Sequence, residues 1–180
     1  MRELSLNVLD IVQNSIAAAA TLVTVEIAEA EGMLTIRIGD NGRGMTDEQL
    51  ERIRDPFYTT RTTRRVGMGI PLFRMAAEMA EGSLTIDSEV GVGTTVTATF
   101  RLDHIDRMPL GDIVGTMETL IQLNPTIDFL YRHTVGEKLF EMDTRSLREV
   151  LGDVPLSEPD ILGWISGNLT EGIQEIGSQA

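Results

Sequence analysis

The chain contains no cysteine and only two histidines. The first absence excludes a disulfide scaffold, a thiolate zinc site and thiol catalysis. The second leaves too few imidazoles for a multi-histidine metal centre. No stretch approaches the ~18 apolar residues of a membrane span, and the most apolar window, Ile16 to Val25, is mostly alanine and threonine. Glu3 and Asp10 lie in the N-terminal stretch and no apolar core follows a basic start. A secretory leader is therefore not expected, and the expected location is the cytoplasm. Basic residues are also scarce, 15 Lys+Arg against 28 Asp+Glu, for a net charge of −13. Such a chain repels phosphates at long range, so neither nucleic acid nor an anionic membrane is an expected partner. A phosphate ligand would have to be held by a local site.

What is present is the balance of a globular protein, with 42% hydrophobic and 24% charged residues in 180. That length suits one domain, or a small domain with a module of roughly 70 residues. Leu4, Val8, Ile11, Val12, Ile16 and Ala19 fall at helical spacing. The β-branched run from Leu22 to Ile27 predicts a strand, Glu31-Gly32 a turn, and Leu34 to Ile38 the second strand of a hairpin. A polar glycine loop follows, then a short helix, Asp47 to Arg54, ended by Pro56. Thr59 to Arg65 has no apolar period and reads as a loop. Helical spacing resumes at Ile70, Phe73, Ala77 and Met79 and stops at Gly82. Leu84 to Ile86 and Thr95 to Phe100 predict two more strands, joined through Gly91 and Gly93. This α-β-β-α-α-β-β order suggests one sheet with helices on one face. A change of texture near residue 104 divides the chain into 1–103 and 104–180. In the second part, Leu110 to Leu123, Ser146 to Leu151 and Ile161 to Ile176 read as helices. Ile127 to Tyr131 and Lys138 to Phe140 read as strands around a turn from His133 to Gly136.

Four short motifs carry possible chemistry. Asp40-Asn41-Gly42-Arg43-Gly44-Met45 closes a strand, and a carboxylate there offers only acceptors, suited to an exocyclic amine. The plain alternative is an Asp-Asn-Gly turn. Asp10 and Asn14 stand one helical turn apart, where a carboxylate and an amide oxygen could serve a hydrated Mg²⁺ and a reactive water. The plain alternative is a solvated stripe. Val66-Gly67-Met68-Gly69-Ile70 opens a helix, whose N-terminal amides can bind phosphate, with Arg61, Arg64 and Arg65 just before it. Gly91-Val92-Gly93-Thr94-Thr95 is otherwise a hairpin turn.

In their order and spacing these motifs resemble the GHKL ATPase superfamily, which includes histidine kinases, gyrase, the MutL mismatch-repair proteins and anti-sigma-factor kinases. DIVQNSIAAAATLVTVEI resembles the N box and its strand, IGDNGRGM the G1 box, DPFYTTR the lid edge, and VGMGIPLFRMAAEMAEGSLTIDSEVGVGTTVTATF the G2 box and terminal Gly-Thr motif. The later segments are most similar to the histidine-kinase branch and the start to the mismatch-repair branch. The resemblance covers roughly residues 1–102. It implies an α/β (α+β) two-layer sandwich, a mixed sheet with helices on one face, followed by a small C-terminal α/β module. It also implies ATP and Mg²⁺ as cofactors. Asn14 would coordinate Mg²⁺, Asp40 would accept from the adenine amine, and Thr94 would complete that contact through water. Gly42 and Gly44 would let the loop approach the base, Gly67 and Gly69 would bring backbone donors to the phosphates, and Arg61 would reach the γ-phosphate from the lid.

Two departures bear on activity. Hydrolysing relatives carry Glu where this chain has Asp10, a general base one methylene shorter, and the lid from Phe57 to Gly67 is short. The implied function is a regulatory histidine-kinase-like or anti-sigma-like protein kinase or a slow ATPase. The alternatives are a non-catalytic ATP-dependent switch acting on a protein partner and a mismatch-repair-like ATPase fragment. A homodimer is left open. The sequence opens at the N box, so no phosphoacceptor domain is expected before it. His104, in His-Ile-Asp-Arg-Met-Pro-Leu, partly resembles a phosphoacceptor box; the plain alternative is a surface residue in a linker.

Overall fold

The computed structural model describes residues 3–54 and 69–180. Its elements are α1 (Leu4–Ala17), β1 (Leu22–Ala30), β2 (Met33–Asp40), α2 (Asp47–Arg54), α3 (Gly69–Met79), β3 (Leu84–Glu89) and β4 (Gly93–Arg101), then α4 (Ile113–Leu123), β5 (Asp128–Val135), β6 (Lys138–Asp143), α5 (Thr144–Leu151) and α6 (Pro159–Ile176). The six strands form one mixed sheet in the order β3-β4-β2-β1-β5-β6. All neighbours are antiparallel except β1 and β5.

Strict alternation decides which face is covered. Val23, Val25 and Ile27 on β1, Leu34, Ile36 and Ile38 on β2, and Val96, Ala98 and Phe100 on β4 are buried. They form one core with Val8, Ile11 and Val12 of α1, Phe73 and Ala77 of α3, Met117 and Leu120 of α4, and Ile165 and Leu169 of α6. The intervening residues Thr24, Glu26, Arg37, Thr97 and Arg132 are half-buried or exposed. There Glu26 pairs with Arg37 and Arg132, and Arg132 also with Glu141. This is the two-layer α/β arrangement that the sequence predicts.

The sheet runs across residue 104. Strand β5 lies parallel to β1, with Val23 opposite Phe129 and Val25 opposite Tyr131, so the later segment extends the sheet of the earlier one. One correction concerns His133, expected in a turn. It lies within β5 and is fully buried. Its polar neighbourhood resembles a loop in sequence, but the period-two set Phe129, Tyr131, His133 points into the core, where Glu29 and Tyr131 satisfy both ring nitrogens. The turn is confined to Gly136-Glu137.

Candidate functional site

The register of three strands places Asp40 opposite Thr94 and Thr94 opposite Ser88, one transverse row at the end of the sheet. All three positions have the parity of the buried residues, so they belong to the helix-covered face. A cleft of about 380 Å³ opens over this row, lined by Asp40, Leu50, Ser88, Glu89, Val92 and Thr94 among others. A second depression, about 350 Å³, lies on the opposite sheet face and is floored by the Glu26, Arg37 and Arg132 ion pairs.

Asp40 is held from three directions. Oδ1 accepts from the Gly42 amide at 2.9 Å and from the Thr94 amide at 3.3 Å. Oδ2 accepts from the Ser15 hydroxyl at 2.6 Å. A carboxylate has about four acceptor positions, so one remains for a ligand donor. Ser15 is 3% exposed and belongs to the buried stripe of α1 with Leu4, Val8 and Ile11. Sequence reasoning missed it, although it immediately follows Asn14 and lies at i+4 from Ile11.

The loop after Asp40 is fixed by its own residues. The Asn41 side chain accepts from the Thr21 and Leu22 amides and donates to the Thr21 hydroxyl, tying the loop to the start of β1. Thr46 and Gln49 cap α2 reciprocally, each side chain accepting from the other's amide. Gly44 has φ +67°, and a Cβ there would stand 1.9 Å from the Glu89 carbonyl oxygen. At Gly93, φ +141°, a Cβ would stand 1.8 Å from the Asp40 carbonyl oxygen. These glycines let two backbones touch behind the cleft. Gly42 does the same against Ala18.

Ser88 was also missed. Its hydroxyl accepts from the Met45 amide at 2.9 Å and reaches the Gly93 carbonyl at 2.9 Å and the Thr94 hydroxyl at 2.8 Å. Hairpin symmetry about Gly91 pairs it with Thr94, a signal present in the sequence.

On α1, Asp10 is half-buried and Asn14 exposed, and neither side chain has a hydrogen-bond partner among the described residues. Asp10 packs against the opening of α3: a Cβ on Gly69 would stand 2.9 Å from the Asp10 Cβ and 3.5 Å from its Oδ2. The Asp10 carboxylate thus adjoins the start of α3 as described, with Asn14 one turn further along α1. Among the described residues no three His, Asp or Glu side chains cluster as a metal site. The exposed Asn14 side chain offers an amide oxygen, a donor of the kind a hydrated Mg²⁺ takes. Arg61 and Gly67, with the lid and its neighbouring arginines, lie outside the described residues.

His104 is not brought to this row. It follows β4, which begins at Gly93 beside Thr94 and runs away from the cleft. Its Nδ1 accepts from the Asp106 amide at 3.2 Å, and its Nε2 lies 3.7 Å from Glu81.

Residues 1–104 match the family model described as histidine kinase-, DNA gyrase B-, and HSP90-like ATPase. A putative sensor protein of Shewanella frigidimarina is 30% identical over 102 residues, 54% of this chain and 16% of that protein. Sporulation kinase C of Bacillus subtilis is 33% identical over 88 residues, 48% of this chain and 20% of that protein. The chain thus spans a fifth or less of these relatives. Among solved structures, the N-terminal domain of a DNA repair protein superposes with a TM-score of 0.58 at 15% identity, covering 79% of this chain and 53% of that one.

Proposed function

Because this chain belongs to the histidine kinase-, DNA gyrase B-, and HSP90-like ATPase family, we propose that it binds Mg·ATP in the cleft at the end of the sheet and regulates a protein partner, as a kinase or slow ATPase. The observation that carries this reading is the Asp40–Thr94–Ser88 row, with one acceptor position of Asp40 left open beneath the cleft. Adenine would seat there through its amine. The polyphosphate would run toward the start of α3, since amides at a helix N-terminus favour anions. Asn14 would ligate Mg²⁺, which would neutralise phosphate charge. Asp10, against Gly69, would take a proton from the attacking hydroxyl of water or of a protein acceptor. Incubation with γ-labelled ATP and cell lysate tests this reading: labelled protein or free phosphate is expected. No label and no phosphate, with ATP bound, would leave only a switch. Asn14→Ala should weaken Mg·ATP binding far more than binding of metal-free ATP; equal affinities of variant and parent for Mg·ATP would remove Asn14 from the site.

The second reading, a switch without turnover, is favoured by one feature. Aspartate stands where hydrolysing relatives carry glutamate, and a base set back by a methylene can cost on the order of 10²-fold in rate.

A further inference from the structure

We propose that Ser88 is a positioning residue that determines base specificity, by fixing the Thr94 hydroxyl as an acceptor toward the ligand. The proposal rests on the nucleotide-binding reading and extends it to a residue to which the resemblance assigned no role.

A serine hydroxyl has one hydrogen and two lone pairs. Ser88 Oγ lies 2.9 Å from the Gly93 carbonyl oxygen, which can only accept, so the Ser88 hydrogen is committed there. The Met45 amide, which can only donate, occupies one lone pair at 2.9 Å. The contact with Thr94 Oγ1 at 2.8 Å must then be made by the Thr94 hydrogen entering the second lone pair. All three contacts are satisfied in this arrangement alone. Thr94 is left with lone pairs and no hydrogen for the cleft. Asp40 beside it is acceptor-only as well, with Oδ1 taken by the Gly42 and Thr94 amides and Oδ2 by Ser15.

The polar edge of the cleft therefore accepts and does not donate. An exocyclic amine, with two N–H donors, matches it. A carbonyl at the same place would face lone pairs on both sides. The base favoured is a 6-aminopurine, and a 6-oxopurine is rejected by Thr94 as well as by Asp40. Without Ser88, the Thr94 hydroxyl is free to turn its hydrogen into the cleft and donate to a 6-oxo group or to its water.

The test compares ATP with ITP, which replaces the amine by a carbonyl, using dissociation constants for the whole chain. The parent is expected to prefer ATP. Ser88→Ala should narrow the ATP/ITP ratio by about five- to tenfold, the worth of one ordinary hydrogen bond. Ser88→Thr, which keeps a hydroxyl, should preserve the parent ratio. In a Thr94→Val background, Ser88→Ala should leave the ratio unchanged, since no hydroxyl remains to reorient. If Ser88→Ala fails to fold, Ser88→Cys, similar in shape but a weak acceptor, should narrow the ratio in the same direction. A purely structural Ser88 would weaken both ligands equally. An unchanged ratio in the folded Ala or Cys variant overturns the proposal while leaving ATP binding intact. A parent that binds neither nucleotide overturns the nucleotide reading and this proposal together.

Discussion

In the proposed site, Asp40 is held in one orientation by three donors, which leave one acceptor position for a ligand. The Ser15 hydroxyl contributes the shortest of these bonds. Hydrogen bonds to charged acceptors are worth ~1.5–3 kcal/mol. Ser15→Ala should therefore weaken ATP binding roughly 10- to 100-fold while the helix persists, because alanine suits a buried helical position. Titration of ATP into the variant, beside its circular dichroism spectrum, checks this; unchanged affinity would deny that Ser15 orients Asp40. Asp10 makes a separate prediction about chemistry. Asp10→Asn should keep Mg·ATP binding and abolish turnover, and Asp10→Glu should raise phosphate release above the parent if reach alone is limiting. If Asp10 only orients its surroundings, Asp10→Glu will accelerate nothing.

At the scale of elements, the positions of β3, β4 and the loop after β2 depend on glycines with distinct duties. A Cβ on Gly91, φ +77°, would meet nothing within 4 Å, so Gly91→Ala should cost only ~1–2 kcal/mol of backbone strain. Gly93→Ala drives a Cβ into the Asp40 carbonyl and should cost well beyond that, with loss of the ATP-induced shift. Thermal melts of the two variants with and without ATP separate the effects; similar losses would refute the backbone contact. Much at this scale was legible locally. The spacing of Leu4, Val8, Ile11 and Val12 gives α1, the bounds of α2 match as read, and the β1–β2 hairpin follows from alternation around Glu31-Gly32. Asp40, Thr94, Asp10 and Asn14 were legible as polar residues at element ends or one turn apart. Ser15 was not, because its partner Asp40 is 25 residues away; for Ser88 the hairpin partner Thr94 was legible by symmetry about Gly91, while the Met45 amide, 43 residues away, was not. The extension of the sheet by β5 was equally hidden, since parallel pairing to β1 joins residues about a hundred apart and leaves no local period.

For the whole molecule, one core and one sheet cross residue 104, so thermal unfolding is expected as a single transition; two resolved transitions would show that 1–103 and 104–180 fold separately. Stability should also depend on pH through a buried network on β1 and β5. Burial pushes the Glu29 carboxyl upward, but hydrogen bonds from the Ser178 hydroxyl, the Gln179 amide and His133 outweigh it and hold the group below its ordinary value. Burial drives His133 below its ordinary value despite Glu29. The neutral ring then donates from Nε2 to Glu29 and accepts at Nδ1 from the Tyr131 hydroxyl. Both groups take up protons more readily in the unfolded chain. The His133 contribution is complete above 6.5 and is lost as pH falls through its lowered folded value. That of Glu29 is complete above 4.5 and is lost below it. The Tm should fall on acidification from neutral pH, and His133→Gln should lower Tm at neutral pH and flatten the first part of that fall. An unchanged profile would deny the network its role. Whether the row at the end of the sheet seats ATP is decided by calorimetric titration of Mg·ATP into the parent and Asp40→Asn proteins. Saturable binding is expected in the parent and its loss in a folded Asp40→Asn protein; equal binding by the two would remove ATP from the row.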